Sequence, residues 1–570
     1  MSLITSKTNL ALTLQENLLK AGARTTVSFL NKGEADRAVS LTGRELHDLA
    51  LRKASFVLDR TGALAEKERP VILAMTAGLD LITTLFGCIY AGITVVTVPV
   101  SKTRIALDRL SGIIHDCGAI DILVDKSGAN TFQSLSIQEE SHDLNVVSIP
   151  ENDEIVTGNL PLADLPGFLK VESDNAYIQY TSGSSKAPKG VVLTDKNVLH
   201  NSHSVGTLLG YDESTVMGNW LPHYHDMGLM GGLLYPVLNG GTLVFMSSMA
   251  FAQKPLRWLR MISAFGVTAT GAPPFAFGLC LNHKNEEELE GLDLSCLKVA
   301  YCGAEAVFRK VLNDFRDKFR PMGLDPSAIC ACYGMAEITV FAGGQVNYHP
   351  DRKDPMSESL IEPCVFSDKM LETLRIVDPE NHELLEDGER GEIWLQSDSL
   401  GKGYLDGKKG LPLQYTTSAF QNTHAQLDGE WFNTGDLAIK HGNHLYIQGR
   451  IKDTIIVNGQ NVAAADIEWY AGEVHEELNG LGAAAFTAYG DPEGSAHLLI
   501  ESKKPRVKGV DFQEVEGLIR SRVRSLFSVE LNEVLILKRG TLDRTSSGKV
   551  RRLQIARNFH KSLYASSVLN

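Results

Sequence analysis

The stretch LITTLFGCIYAGITVVTVPV, residues 81–100, is the longest apolar run in the chain. As one element it has the length of a membrane-spanning helix. As two, it is a buried helix that turns into a buried strand. Asp80 stands directly before it, Gly87 and Gly92 interrupt it, and β-branched residues crowd its second half. β-Branching favours strands over helices. The two-element reading therefore holds, and no transmembrane segment is expected.

Outward from this run the same alternation repeats. VILAM (71–75) reads as a strand, 78–91 as a helix and 93–100 as the next strand. A helical pattern over 103–117 precedes DILVD (121–125). GTLVFM (241–246), 254–265, VTATGAP (267–273), LKVAYCGAE (297–305) and a helix from 306 continue it. This is the signature of an α/β fold, with parallel sheets covered by helices. Past 365 the texture changes. TLRIVDPENHELLEDGERGEIWLQ (373–396) has two strand-like runs joined by acidic, turn-rich residues, which predicts a β-rich subdomain over about 365–448. From 451, DTIIVNG, AAAFTAYG, HLLIES and EVLILK supply short strands around two helices. The expected architecture is a large multi-sheet N-terminal domain, 1–448, and a small mobile α+β C-terminal lid, 451–570, joined at QGRIKD (448–453). A chain of 570 residues exceeds what one core holds.

Lysine and arginine number 55 against 69 acids, a net charge of −14, so no nucleic-acid partner is expected. The sign is uneven. Residues 501–570 hold fifteen basic and seven acidic residues, a local charge of about +8. Such a surface is either a solvated face or a meeting place for phosphates or an acidic partner. The eight cysteines form no CxxC pair, and only Cys330 and Cys332 lie close together. Reduced cytoplasmic thiols fit better than a zinc site or a disulfide framework. The N-terminus, MSLITSKTNLALTLQENLLK, is amphipathic and lacks the apolar core of a signal peptide.

YTSGSSKAPKG, residues 180–190, packs two glycines, three serines, a threonine and two lysines into eleven positions. Glycine lets backbone N–H groups converge on an anion, hydroxyls add donors and lysines add charge. A plain hairpin loop would have a similar composition. The spacing excludes a Walker A loop, because six residues separate Gly183 from Gly190 and Val191 follows. GYLDGKKG (403–410) fails the same test.

The loop has company. WLPHYHDMG (220–228), YCGAE (301–305), YGMAE (333–337), FNTGD (432–436), GRIKD (449–453) and TSSGK (545–549) follow it in this order. Together they resemble the adenylate-forming superfamily of acyl-CoA synthetases, nonribosomal-peptide adenylation domains and beetle luciferases. The resemblance spans roughly residues 20–555. WLPHYHDMG and GQNVAAADIE (459–468) are most similar to the fatty acyl-AMP ligases.

The resemblance implies ATP-dependent activation of a fatty acid as acyl-AMP, then transfer to a thiol. It assigns Thr181, Ser182, Gly183, Ser184, Ser185 and Lys189 to the ATP phosphates, and Glu337 to Mg²⁺. Asp436 would take the ribose hydroxyls, and Arg450 would add a bond to ribose or phosphate. Tyr333 would stack on adenine, with Gly303, Ala304, Glu305, Gly334 and Met335 around the nucleotide. Lys549 would bridge the carboxylate and α-phosphate oxygens. His225 would close the acyl pocket, and Gly228, Pro273, Phe275 and Phe277 would line it. Lys452 falls at the family's hinge. His223, His225 and Asp226 lack a further ligand cluster, so a metal reading of HYHD is set aside.

Two departures stand out. The segment 343–378 is short for a fatty acyl-AMP ligase and carries EPCVFSDK (362–369), and Cys302 stands where asparagine is common. An acyl carrier protein is the expected acceptor. Coenzyme A is the alternative, and a degenerate nucleotide-binding regulator is a third reading.

Overall fold

The computed structural model describes residues 9–569 except 62–68, 134–143, 156–164, 170–173, 182–188, 284–285, 345–353, 407–412, 425, 458–459, 488–495, 505–506, 508, 546–547 and 561–562. The apolar run 81–100 is a helix over Leu79–Tyr90, a turn, and a strand over Val95–Thr97. The helix is buried almost all round because it lies between the sheet and a second helix, Gly43–Arg60. That second helix carries a fully buried Lys53, whose ammonium lies 3.2 Å from Asp80. The acid that argued against a membrane span thus holds a buried cation. Among the described residues, no helix is long and apolar enough to cross a membrane.

Two large sheets dominate. In one, Thr242–Phe245, Val216–Asn219, Ala269–Ala272, Val299–Cys302 and Ile329–Ala331 lie side by side and parallel. Each is short and buried on both faces, which explains the near-continuous apolar runs. In the other, Val71–Ala74 pairs in parallel with Val95–Thr97 and Asp121–Val124. Helices Leu79–Tyr90 and Arg104–Cys117 make the crossovers. At its far side Asn175–Tyr180 and Gly190–Thr194 run antiparallel, with Thr181 and Lys189 at the two inner ends of the pair.

The strands after 365 extend both sheets. Leu374–Val377, Arg390–Leu395, Leu427–His441 and His444–Arg450 join the larger sheet by antiparallel pairing. Gly403–Leu405 instead pairs with Gly190–Thr194 in the other. This β-rich stretch therefore stitches the two sheets together beside the hairpin loop.

One 3₁₀ turn, Ile451–Asp453, follows the last of these strands. The described strands beyond it belong to two small sheets of their own. Thr454–Val457 pairs with Gln460–Ala463, and Leu478–Thr487, Ala496–Ser502 and Leu531–Leu537 form the other. Among the described residues three α-helices cover them, Ala464–Gly472, Phe512–Phe527 and Arg552–His560, one more than the sequence pattern suggests. Leu498, Ile500, Ile519, Val523 and Ile536 centre a separate apolar core here. Trp469 reaches out of this region and packs on Phe308.

Candidate active site

The hairpin Leu427–His441/His444–Arg450 sets Asp436 directly opposite Arg450. Arg450 Nε lies 2.9 Å from Asp436 Oδ1, and Tyr333 Oη donates to Oδ2 at 2.8 Å. Burial pushes the Asp436 carboxyl up, and Arg450 opposes that by favouring the anion. The result is a buried acceptor with both oxygens oriented.

Glu337 sits on a 3₁₀ turn, Ala336–Ile338. Tyr404 Oη donates to its Oε1 at 2.6 Å, and Lys189 Nζ stands 4.7 Å above the Tyr404 ring. A cation over an aromatic face is stabilised by the ring quadrupole. Lys189 is therefore held at the mouth of the hairpin loop, where Thr181 N donates to Lys189 O at 3.0 Å. Arg109 approaches from beneath and donates to Thr181 O at 3.3 Å.

In HYHD both histidines are buried, while Tyr224 and Asp226 are half-buried. Burial lowers His225 to about 3, helped by the nearby cations Lys549 and Arg109, and lowers His223 to about 4. Both rings are neutral near pH 7. Asp226 caps the π-helix Met227–Leu234 by accepting from Met227 N at 2.7 Å. Gly228 follows, and a Cβ there would lie 2.2 Å from Pro222 O, so no larger residue fits.

Lys549 closes the site from the C-terminal side. Its backbone N–H donates to Thr545 Oγ1 at 3.0 Å, and Gly548 N donates to Thr545 O at 2.9 Å. Gly548 takes φ +90°, and a Cβ there would meet the Phe275 ring at 2.8 Å. The turn thus rests on Phe275 and points Lys549 toward Asp226, His225 and Asp436, each of which feels its charge.

A single cavity of about 1040 Å³ joins these parts. Thr181, Lys189, His225, Glu337, Asp436, Arg450, Lys452 and Lys549 line it. So do Gly303, Ala304, Glu305, Tyr333, Gly334 and Met335, with Ala304 held at φ +72°, where a side chain is uncommon. Gly228, Pro273 and Phe275 complete an apolar wall. Ser182, Gly183, Ser184 and Ser185 lie outside the described residues.

The sequence matches the family model of AMP-binding enzymes over residues 14–405. The chain belongs to the AMP-binding enzymes. It is 31% identical over 556 residues to the medium-chain-fatty-acid–[acyl-carrier-protein] ligase JamA of Moorena producens, covering 93% of this chain and 91% of that protein. It is 28% identical over 574 residues to the long-chain-fatty-acid–AMP ligase FadD26 of Mycobacterium bovis, covering 95% of each. Among solved structures, one from work on the fatty acyl-adenylate ligases of E. coli and L. pneumophila superposes with a TM-score of 0.81. It is 26% identical, covering 98% of this chain and 99% of that one.

One expected pocket residue of this AMP-binding enzyme is elsewhere. Phe277 is fully buried against Trp258 and Phe315, with ring centroids 5.3 and 5.0 Å away, and does not reach the cavity. Successive helical residues turn by about 100°. On the helix Pro274–Leu281, Phe275 and Leu279 therefore share the cavity face, while Phe277 points into the core. Three residues of the site were missed. Arg109 lies in an ordinary amphipathic helix with no motif around it. Asp226 stands in HYHD, whose sequence suggests only a metal ligand. Tyr404 sits in the stretch set aside as a failed phosphate loop, whose real signal is an aromatic residue on a strand beside Gly190–Thr194.

Proposed function

We propose that this AMP-binding enzyme activates a fatty or related apolar carboxylic acid as its acyl adenylate and passes the acyl group to the phosphopantetheine thiol of a carrier protein. One observation carries the reading. A single cavity is lined by Thr181 and Lys189, by the buried Asp436 with Arg450 and by Lys549, and opens onto the apolar wall of Gly228, Pro273 and Phe275.

In the first step a carboxylate oxygen of the acid attacks the α-phosphorus of ATP. The bond to the β-phosphate bridging oxygen breaks, and pyrophosphate leaves. Charge spreads over the oxygens of the transferring group, so preorganised cations matter most. Lys549 is aimed at those oxygens, and Lys189 and Arg109 flank the loop that would carry the outer phosphates. Asp436 accepts from the ribose hydroxyls. His225, neutral, closes the acyl end without placing a charge against the chain. Glu337 is the residue that would hold Mg²⁺, because a hard cation takes oxygen ligands and Tyr404 occupies only Oε1. When bound there, Mg²⁺ supplies positive charge to the phosphates.

In the second step a thiolate attacks the acyl carbon and AMP leaves. Lys549 then has to withdraw, and the turn Ile451–Asp453, with Lys452 at its middle, is the natural swivel. A carrier protein is favoured over coenzyme A by JamA's named acceptor; the local charge of about +8 over 501–570 would suit an acidic carrier and the phosphates of coenzyme A alike. The reading includes a cytoplasmic location, where the eight cysteines stay reduced.

The test is a product assay with ATP, Mg²⁺ and a series of fatty acids, offering coenzyme A or a phosphopantetheinylated carrier protein. The expected products are AMP, pyrophosphate and acyl-carrier thioester. ADP as the nucleotide product would refute adenylation, and acyl-CoA alone would reverse the acceptor.

A further inference from the structure

The cavity has a closed inner end. From the end where Lys549 enters, two elements run inward side by side. On the π-helix Met227–Leu234 the step is from Gly228 to Gly231, and both line the cavity. On the strand Ala269–Ala272 it is from Pro273, just past the strand, back to Gly271. Tyr301 meets both inner positions. It is the sheet partner of Gly271, and a Cβ on Gly271 would lie 2.0 Å from its ring. A Cβ on Gly231 would lie 3.1 Å from Tyr301 Oη, and within 4 Å it would meet only that phenol among the described residues outside its own helix. The ring therefore spans from strand to π-helix, and Gly231 otherwise faces open space.

Tyr211 stands beside it. The two phenols are hydrogen-bonding neighbours, and neither hydroxyl oxygen has more than a trace of accessible surface. Both residues line the cavity, and Val205 and Leu209 of the helix Asp195–Leu209 complete the end. All four are buried. Phenols that engage each other ask for no polar atom from a ligand, so what they turn to the cavity is a wall. A chain that reaches such a wall can lengthen only by displacing close-packed side chains, and packed interiors resist even one added methylene. A second apolar branch of the cavity runs to Met249, 64% exposed on the helix Ser248–Gln253. A chain lying there would end in water and feel no stop.

We propose that Tyr301, backed by Tyr211, is the stop that sets the longest acyl chain this enzyme activates, and that Gly231 keeps the space in front of it open. This rests on the adenylation reading and narrows its substrate class to acids whose chain ends at the phenols. Tyr301 and Gly231 are then specificity-determining residues of opposite sense. Shortening the first lengthens the seat, and adding a side chain to the second shortens it.

The test is acid-dependent pyrophosphate exchange with a homologous series of straight-chain acids. Wild type, Tyr301→Ala and Gly231→Ala are compared by kcat/KM, with thermal melts to verify folding. In wild type kcat/KM should rise about fourfold with each added methylene up to an optimum. It should then fall about tenfold or more for the next methylene, as for an overfilled pocket. The optimum should move to longer acids in Tyr301→Ala and to shorter ones in Gly231→Ala, opposite shifts that lost stability alone does not give. If Tyr301→Ala fails to fold, the direction of the Gly231→Ala shift decides. A wild-type rate that keeps rising through the longest acid would overturn the proposal alone. So would identical optima in all three proteins, which would place the chain in the Met249 branch. Absence of exchange with every acid in wild type would overturn the adenylation reading, and this proposal with it.

Discussion

The indole of Trp469 lies face to face with the ring of Phe308, centroids 4.2 Å apart and planes 12° from parallel. Trp469 comes from the helix Ala464–Gly472 beyond the 3₁₀ turn, and Phe308 from the loop after Gly303–Glu305. The stack therefore fastens the C-terminal region in the orientation that points Lys549 into the cavity. Aromatic pairs contribute about 0.5–1.5 kcal/mol beyond their buried area. Trp469→Ala should lower acid-dependent pyrophosphate exchange about 2–10-fold, while transfer from preformed acyl-AMP to a thiol is unchanged or faster. Equal losses in both half-reactions would reduce the stack to a folding contact.

Lys549→Ala should slow adenylation about 10²–10³-fold, roughly 3–4 kcal/mol, as for loss of one well-placed donor. The side chain is only half-buried and sits on a turn, so the melting temperature should hardly move. Near-normal adenylation would leave Lys549 a surface charge.

Asp436→Asn should raise KM for ATP about 10–100-fold, because charge-assisted hydrogen bonds to the ribose are worth about 1.5–3 kcal/mol. KM for the acid should stay within a factor of about two. Steady-state kinetics with each substrate varied in turn separates the two, and an unchanged KM for ATP would cancel the ribose assignment.

Lys452→Pro should keep much of the adenylation and lose thiol transfer. Proline fixes φ but is tolerated in a first helical turn, so the closed arrangement survives and rotation does not. Carrier transfer should also weaken with added salt more than adenylation does, because screening acts on the basic 501–570 surface. Paired assays of the two half-reactions at low and high salt decide it. Equal sensitivity would remove both the swivel and the steering.

Stability should fall on acidification. His223 and His225 are lowered by burial to about 4 and about 3 from 6.5. Between those values and 6.5 the unfolded chain binds more protons than the folded one. Stability then rises with pH across the window, by ~1.4 kcal/mol per pH unit for each histidine fully engaged. Asp466, raised by burial to about 6 from 3.8, gives the opposite slope over its own window. Urea melts from pH 4 to 7 should show a smaller slope for His223→Gln than for wild type. Identical slopes would exclude His223 as a source.

The sequence was legible where one contiguous segment does one job. The run 81–100 declared a helix and a strand because Asp80, two glycines and β-branching leave a single continuous helix poorly supported. The motifs around Thr181, Glu337, Asp436 and Lys549 were legible for the same reason, and the fold brings them to one cavity. What stayed hidden depends on topology. Arg109 reaches Thr181 only because the crossover helix Arg104–Cys117 lies beneath the hairpin. Tyr404 reaches Glu337 only because Gly403–Leu405 joins the sheet edge of Gly190–Thr194. Phe277 faces the core because a helix is a surface that turns, so two residues from Phe275 the side chain has left the cavity.

The hairpin that bears Asp436 also ends at the swivel. Arg450, which grips Asp436 Oδ1, is the last residue before Ile451–Asp453. Under the proposed ribose role, a nucleotide on Asp436 would compete for that oxygen and free Arg450 one peptide from the turning point. Occupancy of the proposed nucleotide seat and freedom of the proposed swivel would then be two faces of one linked equilibrium. Thermodynamic reciprocity makes the exchange symmetric: whatever factor AMP applies to rotation, rotation applies to AMP affinity. A chain locked by Lys452→Pro should therefore bind AMP with an altered dissociation constant, although residue 452 need not touch the nucleotide.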